Sequence, residues 1–398
     1  MRIARWILGA ALALVLLAVA ALLVATLLVN PDRYKGEIES AATRYTGRPL
    51  VIEGHLRLSW FPWLGLHTGA ARLESASGPS GPDLIDWRAA QVSVRLLPLL
   101  LHRRIELSRI RLRGADIHLR VDAQGKSNWQ DLIAHLRSGA ATPGPRTSGS
   151  AGVSLAGVGG LDLRDSSLDY SDARTGTRVS LGQWRVEVGA WSPGRPVSLS
   201  TRFMLHDRKL ERGGIPVELA AHRVSFEQAP LAIAAPRLSL RVADATLRGS
   251  IRLHRRAGRL GAAGALSATV PSVRKLLQAL GVSASLPPDP RALGELSLAG
   301  RWSYRDAALE VKPLTATIDA TRLTGWVARS GGTPAVVRFM LRGDDIDLTR
   351  YVVKSSPRGK PFRLPVRALE ALHAEGTLEL ARAEFDGTRM RNIRLQVQ

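Results

Sequence analysis

The chain contains no cysteine, which removes structural disulfides, thiolate metal sites and cysteine nucleophiles together. Aromatic residues make up only 5% of it, and none are interleaved with basic residues in the way a base-stacking surface requires. Acidic residues are in the minority, 34 against 56 Lys plus Arg, for a formal charge of +22 and a pI near 11.4. The excess is nearly all arginine and lies along the whole chain without a concentrated tract. We therefore read it as a compositional bias and expect no nucleic-acid partner. Also missing are a GxSxG elbow, a GxGxxG fingerprint and the HxxxH or HExxH metal patterns, and the nine histidines are dispersed. The chain is expected to be no enzyme, with no catalytic residues, no metal and no cofactor.

Of the 398 residues, 45% are hydrophobic and 23% charged, the balance of a folded protein rather than a disordered one. From Trp6 to Val29 the sequence WILGAALALVLLAVAALLVATLLV carries no charge, and about twenty such residues suffice to cross a bilayer as a helix. Arg2 and Arg5 precede it, which keeps the short N-terminus cytoplasmic and places the body on the other side, the periplasm in a bacterium. The run exceeds the apolar core of a cleaved signal peptide, so an uncleaved single-pass anchor of the inner membrane is expected.

Beyond the anchor, Asp32 is positioned to cap a short helix with apolar positions Tyr34, Ile38, Ala41, Ala42 and Tyr45, ended by Gly47. The period then changes to two. Leu56, Leu58 and Trp60 alternate with polar residues, as do Val92, Val94 and Leu96, and Ile117, Leu119 and Val121. The phase of alternation flips near Gly114, at Ala243-Asp244, and after Ile318, where turns or bulges belong. An antiparallel meander with one apolar face repeats this most simply. Short helices are expected at Trp129–Arg137 (capped by Asn128), Ser272–Leu280 and Val366–His373. The organisation is then an anchor over residues 1–30, a β domain with a leading helix over 31–137, a Gly/Ser/Pro-rich linker or loop over 138–160, and a continuing β domain over 161–398.

Three motifs look chemical and are weaker than they look. Gly125-Lys126-Ser127 resembles the end of a phosphate loop, but Arg120 stands where that loop needs glycine, so a β-turn is expected. Asp344, Asp345 and Asp347 lack the glycine and glutamate of a calcium loop and read as a capping segment before Leu348. Arg109, Arg111 and Arg113 form a basic strip on one strand, read as a solvated face.

The anchor followed by Asn30-Pro31-Asp32-Arg33-Tyr34-Lys35, then Thr46-Gly47-Arg48-Pro49-Leu50, Ser59-Trp60-Phe61-Pro62, Pro98-Leu99-Leu100 and Gly125-Lys126-Ser127-Asn128-Trp129, resembles the AsmA family in order and spacing. Asp345-Ile346-Asp347-Leu348-Thr349-Arg350-Tyr351 resembles a later landmark of the family. The resemblance implies an inner-membrane protein with a periplasmic body, similar to bridge-like lipid-transfer proteins and active in envelope or outer-membrane biogenesis. Members usually continue with further strands and a closing segment. This chain stops in the strand-like RNIRLQVQ at Gln398 and reads as a short or truncated member.

The expected fold is thus mainly β: a transmembrane helix, then an elongated, twisted antiparallel sheet or groove with a few short helices. The candidate lipid-contacting face is Leu56, Leu58, Trp60, Val92, Val94, Leu96, Ile117, Leu119 and Val121. The expected partners are the inner membrane, phospholipids and envelope or outer-membrane proteins. The alternation alone leaves a closed sandwich and a ligand-filled groove equally open. The anchor makes a direct prediction: a periplasm-dependent phosphatase fused after Gln398 is active in cells. A reporter active there only in the cytoplasm contradicts the topology.

Overall fold

In the computed structural model the described residues are 31–397, apart from 60–62, 76–81, 96–103 (Pro98 excepted), 142–153, 282–285, 352–372 and single or paired positions in turns. The apolar run of the anchor and the helix expected at Val366–His373 lie outside them. Among the described residues no helix is long and apolar enough to cross a membrane. Two compact units are formed, residues 1–193 and 194–398, so the division falls well after the 138–160 stretch.

Unit 1 opens with a 3-10 turn at Pro31–Tyr34 that continues as α1 (Lys35–Thr46), which ends where Gly47 turns left-handed at φ 72°. Asp32 does not cap this helix. Its carboxylate accepts from the Leu56 amide at 2.9 Å and pairs with His55 at 3.0 Å and Lys35 at 3.3 Å. The Leu56 and His55 hydrogen bonds hold its pKa down at about 2. The residue therefore ties the entry segment to a strand instead of starting the helix.

The sheet of unit 1 is built from interrupted strands. β1 (Leu50–Ile52) and β2 (Leu56–Ser59) pair antiparallel with β4 (Ala71–Leu73) and β3 (Trp63–Thr68) respectively, and both of those pair with β5 (Ile85–Arg95). β5 pairs antiparallel with β6 (Arg104–Leu107) and β7 (Ile110–Val121). β6 and β7 then run parallel to β8 (Ser154–Val158) and β9 (Leu161–Asp172), and β9 forms a hairpin with β10 (Thr177–Val188). The sheet is therefore mixed, not the antiparallel meander expected. Parallel neighbours need a long crossover. The stretch read as a linker supplies one: helix α2 (Gln130–Ala141) occupies its start and β8 its end.

Arg48, 2% exposed, fastens the two helices to the sheet. Its guanidinium donates to the Asn128 carbonyl and the Asp131 carboxylate, each at 2.5 Å, and to the Glu74 carbonyl at 3.3 Å. Asn128 does not cap α2 as expected. Its side chain accepts from the Arg120 amide at 2.9 Å and donates to the His118 carbonyl at 2.8 Å, closing the end of β7. The Gly125-Lys126 pair lies in the turn between them, organised by the Asp122 carboxylate, which accepts from the Gln124 and Lys126 amides.

Unit 2 is a meander of β11 (Val197–Asp207), β12 (Ile215–Gln228), β13 (Leu231–Val242), β14 (Ala245–Arg256), β15 (Arg259–Val270), β16 (Leu296–Arg305), β17 (Ala308–Ile318), β18 (Thr321–Arg329) and β19 (Val337–Asp347), each antiparallel to the last. β20 (Ala374–Phe385) lies parallel to β19 and forms a hairpin with β21 (Thr388–Val397). The phase flips at Ala243-Asp244 and after Ile318 are two-residue turns, with Ala243 and Asp319 left-handed as such hairpins require. Helix α3 (Val273–Ala279) starts at Ser272, whose hydroxyl accepts from the Lys275 amide. Asp347 caps a 3-10 turn at Leu348–Arg350.

A transverse crease crosses the strands of each unit. In unit 1 it passes through Gly69, Gly114 (φ 63°), Asp165 (φ 51°) and Gln183 (φ 53°), which lie where the register between the strands is broken or ends. In unit 2 it passes through Arg223 (φ 56°), Pro236, Ser250, Gly264, Pro313 and Gly325 (φ 150°). Bulges of this kind bend and twist a strand and leave amides unpaired. Serine hydroxyls fill the gaps: Ser166 accepts from the Ala115 amide at 3.0 Å, and Ser250 accepts from the Ala265 amide at 3.1 Å. At Gly325 both φ and space demand glycine, because a Cβ would run into the Met340 carbonyl oxygen. Gly325→Ala should therefore cost about 3 kcal/mol in denaturant unfolding, and Gly176→Ala, in an open turn, about 1 kcal/mol. Equal costs would show that the crease is soft.

Candidate functional site

The register shows what the crease does to the alternation. In β5, β7, β9 and β10 the apolar residues change parity where they cross it: Ile85 and Trp87 give way to Ala90, Val92 and Val94, and Leu161 and Leu163 give way to Leu168 and Tyr170. In an unbroken strand such a change would send half the apolar set to the other face. Here a left-handed residue absorbs it in β7, β9 and β10. Packing confirms this, because Ile52 and Ala71 from one side of the crease cluster with Leu56 and Leu66 from the other, together with Trp87 and with Ile38 of α1. Unit 1 thus keeps one continuous apolar face through its bend.

Of the expected face in unit 1, Leu58 lies opposite Leu66, which lies opposite Val92, and Val94 lies between Leu64 and Leu107. These residues form one patch on one side of the crease. Ile117 and Leu119 fall on the other side, opposite Leu168 and Tyr170. Leu56 and Val121 are buried, and Leu58, Val92, Val94, Ile117 and Leu119 are partly exposed. Trp60 and Leu96 lie outside the described residues. The two groups differ in their cover: α1 packs over the crease through Ile38, and the Trp129 ring, just before α2, rests on Tyr170 at 6.2 Å. Burial raises the Asp131 pKa, but the hydrogen bond and charge of Arg48 more than offset it, so the carboxylate that anchors α2 titrates below its usual range.

Unit 2 has an apolar face of its own, at positions not expected from sequence. Rows run across the strands at matching register: Val270, Leu296 and Ile318, then Ala268, Leu298, Ala316 and Leu323, then Leu266, Gly300, Leu314 and Leu341. Most of these side chains are only partly buried, and at the margins Phe226 is 58% exposed, Leu247 41% and Leu309 40%. Among the described residues, α3 and the turn at Leu348–Arg350 are the only helices of this unit. No second layer of described residues closes over the rows.

The opposite face is charged and internally paired. Glu218 bridges Arg202 at 2.8 Å and Arg241 at 3.0 Å, and Glu379 bridges Arg342 at 3.0 Å and Arg394 at 2.5 Å. The hydrogen bonds of Arg394 and Arg342 lower the Glu379 pKa. Exposed pairs of this sort add little stability, but they keep that face wetted. Among the described residues no group of His, Asp and Glu is placed to hold a metal.

These features define a class: mixed β-sheets, one layer thick over most of their area, with a creased apolar face and a charged back. The AsmA family model matches residues 1–188, and over that region the chain is similar to the AsmA family. Among curated proteins and among solved structures, nothing matches the chain.

The difference in cover gives a stability test. Leu119→Asp, beside the Tyr170–Trp129 contact, should cost about 3 kcal/mol, because a carboxylate enters a packed site. Leu298→Asp, on the uncovered face, should cost under about 1 kcal/mol, since water reaches the new charge. Denaturant unfolding of both decides it, and an equally large loss for Leu298→Asp would mean that its face is closed.

Proposed function

We propose that the protein is anchored in the bacterial inner membrane with its body in the periplasm, and that it carries phospholipid on the apolar face during envelope biogenesis. The observation that carries this reading is the uncovered apolar face of unit 2. Its rows of Leu, Ile, Val and Ala stay partly exposed over many strands, and contiguous apolar area of that extent marks an interaction or ligand surface. Acyl chains laid along the rows remove that area from water, at about 25 cal/mol per Å² of apolar surface. Headgroups remain in solvent. The work is binding and movement without covalent chemistry, and the match of residues 1–188 to the AsmA family model supports it.

A second reading, a scaffold for outer-membrane protein assembly, uses the same apolar face for a polypeptide. Lipid extraction and mass spectrometry of the purified protein separate the two. Reproducible phospholipid, reduced severalfold in Leu298→Asp and unchanged in Ala299→Asp on the opposite face, is the expected result. A folded wild-type protein free of lipid would leave the scaffold standing.

A further inference from the structure

The basic strip read from sequence as a solvated face does not lie flat. On the charged side of unit 1, at the crease, is a cavity of about 690 Å³. The register explains its walls: Arg57, His67, Gln91, Arg111 and Asp162 stand in one row across five strands, and Gly69, Ala89, Arg113 and Arg164 lie in the next row towards the bend. Small residues at Gly69 and Ala89 leave the floor low between long cationic side chains.

The charge of this basin is unbalanced. Asp162, buried beneath it, is fully engaged by Arg164 through two hydrogen bonds of 2.8 Å. Asp165 is shared at long range between Arg113 (3.9 Å) and Arg185 (3.8 Å). At the rim, Asp32 is taken up by His55 and Lys35. Arg111 donates only to the neutral Gln91 amide oxygen, at 3.2 Å, and Arg57 has no acidic partner among the described residues. Guanidinium groups gathered around one concavity attract a polyvalent anion, and their planar forks match phosphate oxygens in particular. The volume lies in the range of small-ligand sites.

We propose that this basin binds a phosphate ester, held by Arg57, Arg111 and Arg113 with His67 at the side. The chemistry fits both a phospholipid headgroup and a soluble phosphorylated compound. The inference is independent of lipid carriage on the opposite face, since the basin uses none of the apolar rows.

The test uses the full chain in a detergent with an uncharged headgroup. Calorimetric titration with pyrophosphate, and separately with short-chain phosphatidylglycerol below its micelle concentration, should show saturable binding of one equivalent for at least one of them. Binding of pyrophosphate alone assigns a soluble ligand, and binding of the lipid assigns a headgroup. In either case R57Q/R111Q should weaken it at least tenfold, R57K/R111K should bind between the two, and R202Q, on the charged face of unit 2, should bind like the wild type. Circular dichroism and melting of R57Q/R111Q should match the wild type; should that variant unfold, the Lys variant carries the comparison. Saturation by neither ligand, or full affinity in the Lys and Gln variants, overturns the proposal.

Discussion

The structure depends on one constraint: a sheet with an apolar face must cover it, and the described residues hold too few helices to do so. Unit 1 solves the problem in part. α1 reaches over the crease through Ile38, the segment before α2 covers Tyr170, and Arg48 locks both helices down. Unit 2 has ten more strands after β11 and a single short α-helix among its described residues. Among the described residues no further helix covers its apolar rows. Fractional exposure around 40–58% at Phe226, Leu247 and Leu309 is the direct sign of that.

The crease follows from the same constraint. A one-layer sheet that bends brings its own apolar residues nearer to one another, and the bend must occur without turning half of each strand inside out. Left-handed residues at Gly114, Asp165, Gln183 and Arg223 change the parity of alternation where their strands bend, and glycine or proline interrupts several neighbouring strands. The serines beneath them satisfy the amides released by the bulges. The charged back, with glutamates each shared by two arginines, keeps the outer surface in water and discourages sheets from stacking there.

Much of this was written in the alternation. The period-two segments, the turns at Ala243-Asp244 and after Ile318, the Gly47 stop of α1 and the Ser272 start of α3 follow from local rules that depend on few residues. What was not legible is non-local. Nothing near Leu161 or Ala374 signals a parallel neighbour, because a crossover is defined by which strand it returns to. Asp32 and Asn128 have ideal capping chemistry but are claimed by strands instead, Asp32 at Leu56, 24 residues on, and Asn128 at His118 and Arg120 of the preceding strand. Left-handed Asp165 and Gln183 carry no residue signature; only the shift from Leu163 to Leu168, and from Leu181 to Val186, betrays them. The basic strip at Arg111 and Arg113 becomes a basin only once β2 and β3 bring Arg57 and His67 beside it.

The central claim is that acyl chains occupy the uncovered face, and position-specific photo-crosslinking tests it most directly. A benzophenone side chain placed at Leu298 looks onto the apolar rows, and one placed at Ala299 looks away from them. The account predicts that irradiation of cells captures phospholipid at position 298 and not at 299. Capture of protein alone at 298, or equal capture of lipid at both positions, contradicts it.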